Sequence, residues 1–301
     1  MEKEKQIKSH QERSTGSVLL IQKLFLGVLY SSLFISFCAF ALTVETYLLA
    51  DLPISLPMAW FVFLATLFTY NVSSVQSVLA RFIYGRKSSG SSWVLQHRKE
   101  LSVLGGLGLI AAGFIYVYFS LNLSIWFLLH LAVISIGYTV PILYRERTVK
   151  PLRKVPLLKV FLIAYVWAAV TIFFPLMDAG VEIWNGQAWL LFFRRFLFIL
   201  ALALLFDIRD YTYDRNTRIL TIPGLIGVQK TKLLSLGLLL LYAILIMGTE
   251  TGATMMALML GAAGAAVVVL FSAEYKKRVY YLLLADGAML LHAALVYFVI
   301  I

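Results

Sequence analysis

The segment Phe206-Asp-Ile-Arg-Asp-Tyr-Thr-Tyr-Asp214 places three carboxylates where a long apolar run meets a basic loop. If the helix of the apolar run continues through them, spacings of three and seven residues put Asp207, Asp210 and Asp214 on one stripe. Carboxylates this close repel one another by roughly 4 kcal/mol per 4 Å pair at an intermediate dielectric. They therefore need protons, cationic partners or a metal ion, and divalent cations commonly bind such oxygen clusters.

The composition indicates a membrane protein. The chain of 301 residues is 61% hydrophobic and only 14% charged, and its mean hydropathy is +0.88. These values lie far outside the range of soluble proteins. A hydrocarbon core about 30 Å thick requires spans of roughly 17 to 25 residues. The apolar runs predict an all-α polytopic protein with nine transmembrane helices, at residues 25–45, 54–72, 101–119, 124–144, 157–176, 188–206, 233–249, 252–272 and 279–300.

The distribution of positive charge tests this span count independently. Lys and Arg residues occur before the first span and in every second loop after it, and the intervening loops contain none. The positive-inside rule then predicts a cytoplasmic N-terminus and places the C-terminal Ile301 outside. The net charge of +11 is thus mostly a signature of topology. No RNA-binding motif or phosphate-binding glycine loop is present, so we expect no nucleic-acid partner.

The loops suggest an internal duplication. Residues 1–24 read as a polar cytoplasmic tail, and residues 25–301 as one transmembrane domain with long cytoplasmic loops at 73–100 and 207–232. These loops follow the second and sixth spans, which predicts two four-helix halves plus a ninth helix. Duplications of this kind commonly put the site between the halves. A short tail without targeting features fits a bacterial inner (cytoplasmic) membrane.

Two segments resemble one protein family. Asp207–Asp214 followed by Thr221-Ile-Pro-Gly-Leu-Ile-Gly227 is similar to the second aspartate-rich motif of the UbiA superfamily of intramembrane prenyltransferases, in which D-x-x-D-x-x-x-D leads into a T-x-P-x-x-x-G turn. The segment Tyr138-Thr-Val-Pro at the end of the fourth span, with Arg145 after it, is similar to the family's Y-S/T-x-P stretch. The expected topology of the family covers essentially the whole chain.

The resemblance implies a transfer reaction at the membrane. In the family, magnesium bridges the phosphates of an isoprenyl diphosphate to two aspartate motifs, the diphosphate leaves, and a hydrophobic acceptor takes the prenyl group. Mg²⁺ and catalysis would then depend on Asp207, Asp210 and Asp214. The candidate diphosphate contacts are Asn71, Arg81, Arg145, Lys159 and Arg218, and Tyr138 and Ser74 would line the substrate cavity.

The first aspartate motif of the family is missing. It would begin at Asn71, where residues 71–79 read Asn-Val-Ser-Ser-Val-Gln-Ser-Val-Leu. No Asp or Glu occurs between Asp51 and Glu100, so a shifted alignment cannot restore it. Apolar residues stand at all three carboxylate positions: Val72, Val75 and Leu79.

Two hypotheses follow from an intact second motif and a lost first one. The chain is either an enzyme that holds one metal ion through the remaining aspartates, or a non-catalytic relative that binds a lipid or a partner protein. Bound diphosphate or magnesium would favour the first. A cavity in the first half of the bundle that is filled by Val72, Val75 and Leu79 would favour the second hypothesis. Neither hypothesis identifies the acceptor.

Several ionisable residues lie within the predicted spans. Exposing such residues to lipid costs free energy, so we expect them to face the bundle interior. Asp286 in the last span is one of them. Arg194 and Arg195 lie two turns from the outer surface, where we expect them to extend outward or to pair with Asp178 or Glu182. His130 and His292 occur singly on apolar helices and are expected to be packed or hydrogen-bonded.

Overall fold

The computed structural model describes residues 24–83, 91–139, 143–145, 148–150, 157–216 and 220–301. It is helical apart from one short antiparallel hairpin, β1 (Leu143–Arg145) with β2 (Thr148–Lys150), in which Tyr144 is paired with Val149. The helices are α1 Leu24–Tyr30, α2 Leu33–Leu49, α3 Leu56–Ile83, α4 Ser91–Gln96, α5 Arg98–Tyr118, α6 Ile125–Thr139, α7 Leu158–Asp178, α8 Gly186–Asn216, α9 Ile222–Ile226, α10 Val228–Thr249, α11 Gly252–Phe271 and α12 Arg278–Ile300.

The apolar helices confirm an all-α polytopic membrane protein. Within the described ranges, seven helices are long and apolar enough to cross a membrane: α3, α5, α7, α8, α10, α11 and α12. The faces of these helices that point away from the core are apolar. On α5, for example, Val103, Leu107, Ile110, Phe114 and Val117 lie on one side and are all at least 59% exposed. Such a stripe is the surface that lipid tails cover.

The first and fourth predicted spans differ from regular crossings. The first is a bent pair, α1 and α2, with an angle of 63° between the helices. At the bend, Ser32 has a left-handed φ of 65° and its carbonyl oxygen accepts a bond from the Ser36 hydroxyl at 2.8 Å. Side-chain bonds of this kind compete with regular helix geometry. The fourth span contains α6, which has only 15 residues. The predicted number of nine crossings is therefore only partly supported.

Helix α8 is the central element of the bundle. Every residue from Phe198 to Leu205 is buried, as expected for a helix that is apolar on all sides. Its 31 residues give a length of about 46 Å at 1.5 Å per residue, which exceeds a hydrocarbon core of about 30 Å. The C-terminal turns of α8 therefore extend past the apolar run that predicts the span at 188–206.

Small residues allow two pairs of helices to approach closely. A Cβ atom on Gly105 of α5 would lie 3.4 Å from the Cβ of Asn71 on α3, and one on Gly261 of α11 would lie 2.7 Å from the His292 ring on α12. Glycine permits such backbone contacts inside membranes.

Two π-helical segments interrupt the long helices. They are Ala169–Phe173 in α7 and Tyr281–Ala285 in α12. The first of them lies just before Pro175.

Candidate functional site

The C-terminal turns of α8 hold the three aspartates. The helix continues to Asn216, so Asp207, Asp210 and Asp214 share one stripe, as their spacing predicted. Asp207 and Asp214 are buried, while the Asp210 side chain is 25% exposed. The stretch 207–232, for which we expected a loop, thus begins as part of the long central helix.

Lys159 joins two of these carboxylates. It extends from the first turn of α7, and its Nζ lies 2.8 Å from Asp207 Oδ1 and 3.9 Å from Asp210 Oδ2. The lysine is 21% exposed, whereas the Asp207 side chain is only 3% exposed. Because one member of the pair is almost fully buried, the attraction is screened less than at an open surface. Among the predicted diphosphate contacts whose side chains the structure describes, Lys159 lies directly at the aspartates.

Arg209 supplies a second positive charge. Its Nε and Nη2 donate to the two oxygens of Asp210 at 2.8 and 2.9 Å, and its guanidinium lies 5.1 Å from the ring centre of Phe206. Bidentate pairs of this kind are geometrically specific. Lys159 and Arg209 thus offset part of the negative charge of the three carboxylates.

The carboxylates of the three aspartates are suitable ligands for a magnesium ion, but their side chains are not arranged around a common metal position. Carboxylate oxygens are the ligands that Mg²⁺ prefers, and three of them lie on one stripe. As placed, however, Asp207 and Asp210 face Lys159, and in the described part of the chain no group of three or more His, Cys, Asp or Glu side chains is arranged to hold a metal. Metal binding at this stripe would require Lys159 to leave at least one carboxylate.

The turn after the aspartates has a defined geometry. Thr221 is extended and buried, the short helix α9 follows it with Pro223 in its first turn, and Gly227 ends it with φ +83°. A left-handed φ of this size favours glycine, which explains the last position of the T-x-P-x-x-x-G pattern. Helix α9 packs against α8. Among the described residues, the Thr221 hydroxyl has no hydrogen-bond partner.

The described part of α3 holds a buried amide and a residue of an apolar cluster. Asn71 on α3 is fully buried, and neither atom of its amide has a hydrogen-bond partner in the described ranges. One turn further along α3, Val75 packs with Val94 and Leu101. The side chain at one of the lost carboxylate positions therefore belongs to an apolar cluster. Val72 is half-buried, and the Leu79 side chain lies outside the described residues.

The other predicted site residues are placed only in part. Ser74 lies half-buried on α3, at the level of the Asn71 turn. Arg81 falls on α3, Tyr138 on α6 and Arg145 on β1, but their side chains lie outside the described residues. Arg218 and the tail before residue 24 are also outside them. The structure thus brings Lys159 to the aspartates and leaves the remaining diphosphate contacts as predictions.

The expected partners of Arg194 and Arg195 were wrong. Arg194 pairs with Glu250, and Arg195 lies 3.0 Å from Glu45. Asp178 instead accepts a bond from the Tyr47 hydroxyl at 3.1 Å. Glu45 belongs to a predicted span, and an ionisable residue there indicates a buried polar partner. The sequence-based predictions did not include this residue.

Comparisons with known proteins give a structural likeness. No protein-family model matches the sequence, and a search of curated proteins finds no match. One similar solved structure is a digeranylgeranylglyceryl phosphate synthase in membranes, with a TM-score of 0.55, 14% identity, and coverage of 90% of this chain and 96% of that one. Another is a UbiA homolog from Aeropyrum pernix K1, with a TM-score of 0.58, 18% identity, and coverage of 88% and 96%. At these identities the likeness concerns the fold.

Proposed function

We propose that this chain, which has the fold of the UbiA superfamily, transfers an isoprenyl group from a prenyl diphosphate to a lipid or aromatic acceptor in the membrane. The observation that carries the proposal is the cluster of Asp207, Asp210 and Lys159 at the end of the central helix. Carboxylates that lie beside an ammonium suit a site for a cation and an anionic phosphate together.

Mg²⁺ is the proposed cofactor, held by Asp207, Asp210 and Asp214. When bound, it would supply positive charge to the phosphate oxygens of the substrate. One aspartate motif can bind fewer magnesium ions than two aspartate motifs can. Fixed cations of the protein must therefore take part of the phosphate charge, and Lys159 is the described residue in position to do so.

The residues of the chain have distinct roles in the proposed reaction. When the diphosphate binds, Lys159 pairs with its phosphate instead of Asp207. The bond between the allylic carbon and the diphosphate oxygen then breaks, its electron pair leaves with the diphosphate, and the contact with Lys159 strengthens because negative charge grows on the leaving group. A nucleophilic atom of the acceptor forms the new bond to the allylic carbon and loses its proton to the released diphosphate or to water. Asn71, Arg81, Arg145 and Arg218 are the further proposed diphosphate contacts. Tyr138 and Ser74 would line the cavity in which the acceptor meets the prenyl carbon.

The proposed topology follows the charge pattern. Residues 25–301 would form one transmembrane domain with nine crossings, in two four-helix halves plus a ninth helix, if the bent pair α1–α2 and the short helix α6 each cross. The N-terminus would be cytoplasmic and the C-terminus outside. A bacterial inner membrane is the proposed location. The aspartates would then face the cytoplasm, where soluble prenyl diphosphates are available.

A non-catalytic role is the second candidate. Val75 packs with Val94 and Leu101 where the first motif would have a carboxylate, which favours an apolar first half. The ion pairs of Lys159 and Arg209 also partly neutralise the second motif. In this alternative the chain keeps the fold and binds a lipid or a partner protein without transferring a prenyl group.

Magnesium-dependent binding separates the two candidates. We expect the purified chain in detergent to bind geranylgeranyl diphosphate in the presence of Mg²⁺, measured by calorimetry. Asp207→Asn/Asp210→Asn should weaken binding by about 100-fold, because two charged contacts of roughly 1.5 kcal/mol each are lost. Asp178→Asn, at the opposite end of α7, is the matched control and should bind normally. A folded wild-type protein that does not bind at any Mg²⁺ concentration would exclude the diphosphate site.

A further inference from the structure

A second polar cluster lies in the interior of the bundle. Four helices contribute one buried side chain each: Glu45 from α2, Arg195 from α8, Tyr242 from α10 and His292 from α12. Arg195 Nη2 lies 3.0 Å from Glu45 Oε1, His292 Nδ1 lies 3.1 Å from Glu45 Oε2, and His292 Nε2 lies 2.6 Å from the Tyr242 hydroxyl. Ionisable groups inside a membrane protein commonly mark a functional site.

This cluster is separate from the aspartates. Arg195 precedes Asp207 by twelve residues on the same helix, which corresponds to about 18 Å along its axis. The neighbouring Arg194 pairs with Glu250, whose side chain is 21% exposed. The prenyl-transfer proposal makes no use of these residues.

Two atoms of the cluster are not satisfied. Within the described ranges, Arg195 Nη1, a donor, and Glu45 Oε1, an acceptor, are buried and have no hydrogen-bond partner, although Glu45 Oε1 lies 3.0 Å from Arg195 Nη2. A charged donor that is removed from water without an acceptor is strongly unfavourable. Arg195 also lines a small cavity of about 10 Å³, which is room for about one water-sized group, together with Glu45, Arg194, Tyr242 and His292. The apolar part of its lining is Leu49, Ile172, Leu191 and Phe198.

The charges around the cavity indicate what kind of group would bind. The positive charges of Arg194 and Arg195 are balanced by Glu250 and Glu45. An added anion would therefore leave an uncompensated charge in a surrounding of low polarity. A neutral oxygen can accept from Arg195 Nη1 without changing this balance.

We propose that this cavity is a binding site for a neutral hydrogen-bond acceptor, held by Arg195 Nη1. Two sources share this chemistry: an ordered water molecule, and the carbonyl oxygen of a lipid-soluble molecule that enters from the membrane. A water needs two to four polar partners, which Arg195, Glu45 and Tyr242 can provide. A carbonyl oxygen would take the place of this water, and the apolar remainder of its molecule would lie outside the cavity.

A structure of the full chain in lipid nanodiscs, at a resolution that shows ordered water, tests the proposal. We expect density about 3 Å from Arg195 Nη1. An isolated spherical peak identifies water, and density that continues out of the cavity identifies a lipid-soluble carbonyl compound. Either result supports the acceptor site. A well-ordered Arg195 with no density at Nη1, or with Nη1 bonded to a protein atom, overturns it.

Paired substitutions provide the matched control. Glu45→Gln/Arg195→Gln removes one negative and one positive charge, so the net charge is unchanged while Nη1 is lost. The density should then disappear. Glu250→Gln/Arg194→Gln makes the same change in the neighbouring pair. Arg194 also lines the cavity, but its Nη1 donates to Glu250 and Thr249, so this change should leave the density in place. Density that persists after the first change, in a folded protein, would show that Arg195 does not hold the ligand.

Discussion

Replacing Glu45 with glutamine should destabilise the protein by about 3–5 kcal/mol, because it leaves the Arg195 guanidinium charged and unpaired in the interior. The Glu45 side chain is fully buried and is in contact with both Arg195 and His292. For a chain of this size the loss corresponds to a thermal midpoint lower by about 5 °C or more. Thermal unfolding of the purified protein in detergent measures it.

The neighbouring ion pair is the control for this prediction. Glu250→Gln removes the partner of Arg194, but Glu250 is 21% exposed and water can replace part of the lost interaction. We expect a cost of about 1 kcal/mol or less. Glu45→Gln/Arg195→Gln should recover part of the stability lost in Glu45→Gln, since no unpaired charge remains. Equal thermal midpoints for Glu45→Gln and Glu250→Gln would contradict the burial argument.

Lys159→Met should change the affinities for two ligands in opposite directions. Without the ammonium, geranylgeranyl diphosphate binding in the presence of Mg²⁺ should weaken by about 10- to 100-fold, because a charge-assisted contact is lost. Mg²⁺ alone should bind more tightly, since Nζ no longer competes for Asp207 and the aspartate cluster becomes more negative. Calorimetric titrations with each ligand measure both effects.

Lys159→Arg is the control, because it keeps the positive charge at the end of α7. It should retain most of the diphosphate binding and should not increase Mg²⁺ affinity. The thermal midpoint of each variant shows whether the fold is intact. Unchanged diphosphate binding by folded Lys159→Met would contradict a role for this lysine at the phosphates. The ion pair between Lys159 and Asp207 would then be structural only.

The helices could be predicted because hydropathy and charge are local properties. The run before Asp207 is apolar on all sides, which identified a buried span, and the aspartate spacing was compatible with a continued helix through Asn216. The bend between α1 and α2 could not be predicted in this way. The bend depends on the backbone conformation of Ser32. The apolar composition of the segment, in contrast, predicts one straight span.

The polar contacts were harder to predict, because they join residues that are far apart in the sequence. The aspartates were identified from their spacing, but the pair between Lys159 and Asp207 depends on how α7 packs against α8. Likewise, Glu45 and His292 are 247 positions apart, and no sequence pattern brings them together. Arg194 and Arg195 were assigned to acidic residues nearby in the chain, whereas helix packing gave them partners on α10, α2 and the residue after α10.

The most direct test of the central claim is the release of diphosphate. Purified wild-type protein, in nanodiscs of bacterial membrane lipids, is incubated with geranylgeranyl diphosphate and Mg²⁺ and compared with Asp207→Asn/Asp210→Asn. Loss of groups that stabilise the departing charge costs about 100-fold or more in rate. We predict release well above a protein-free control, reduced by at least about that factor in the variant. Equal release by both proteins would contradict prenyl transfer at these aspartates.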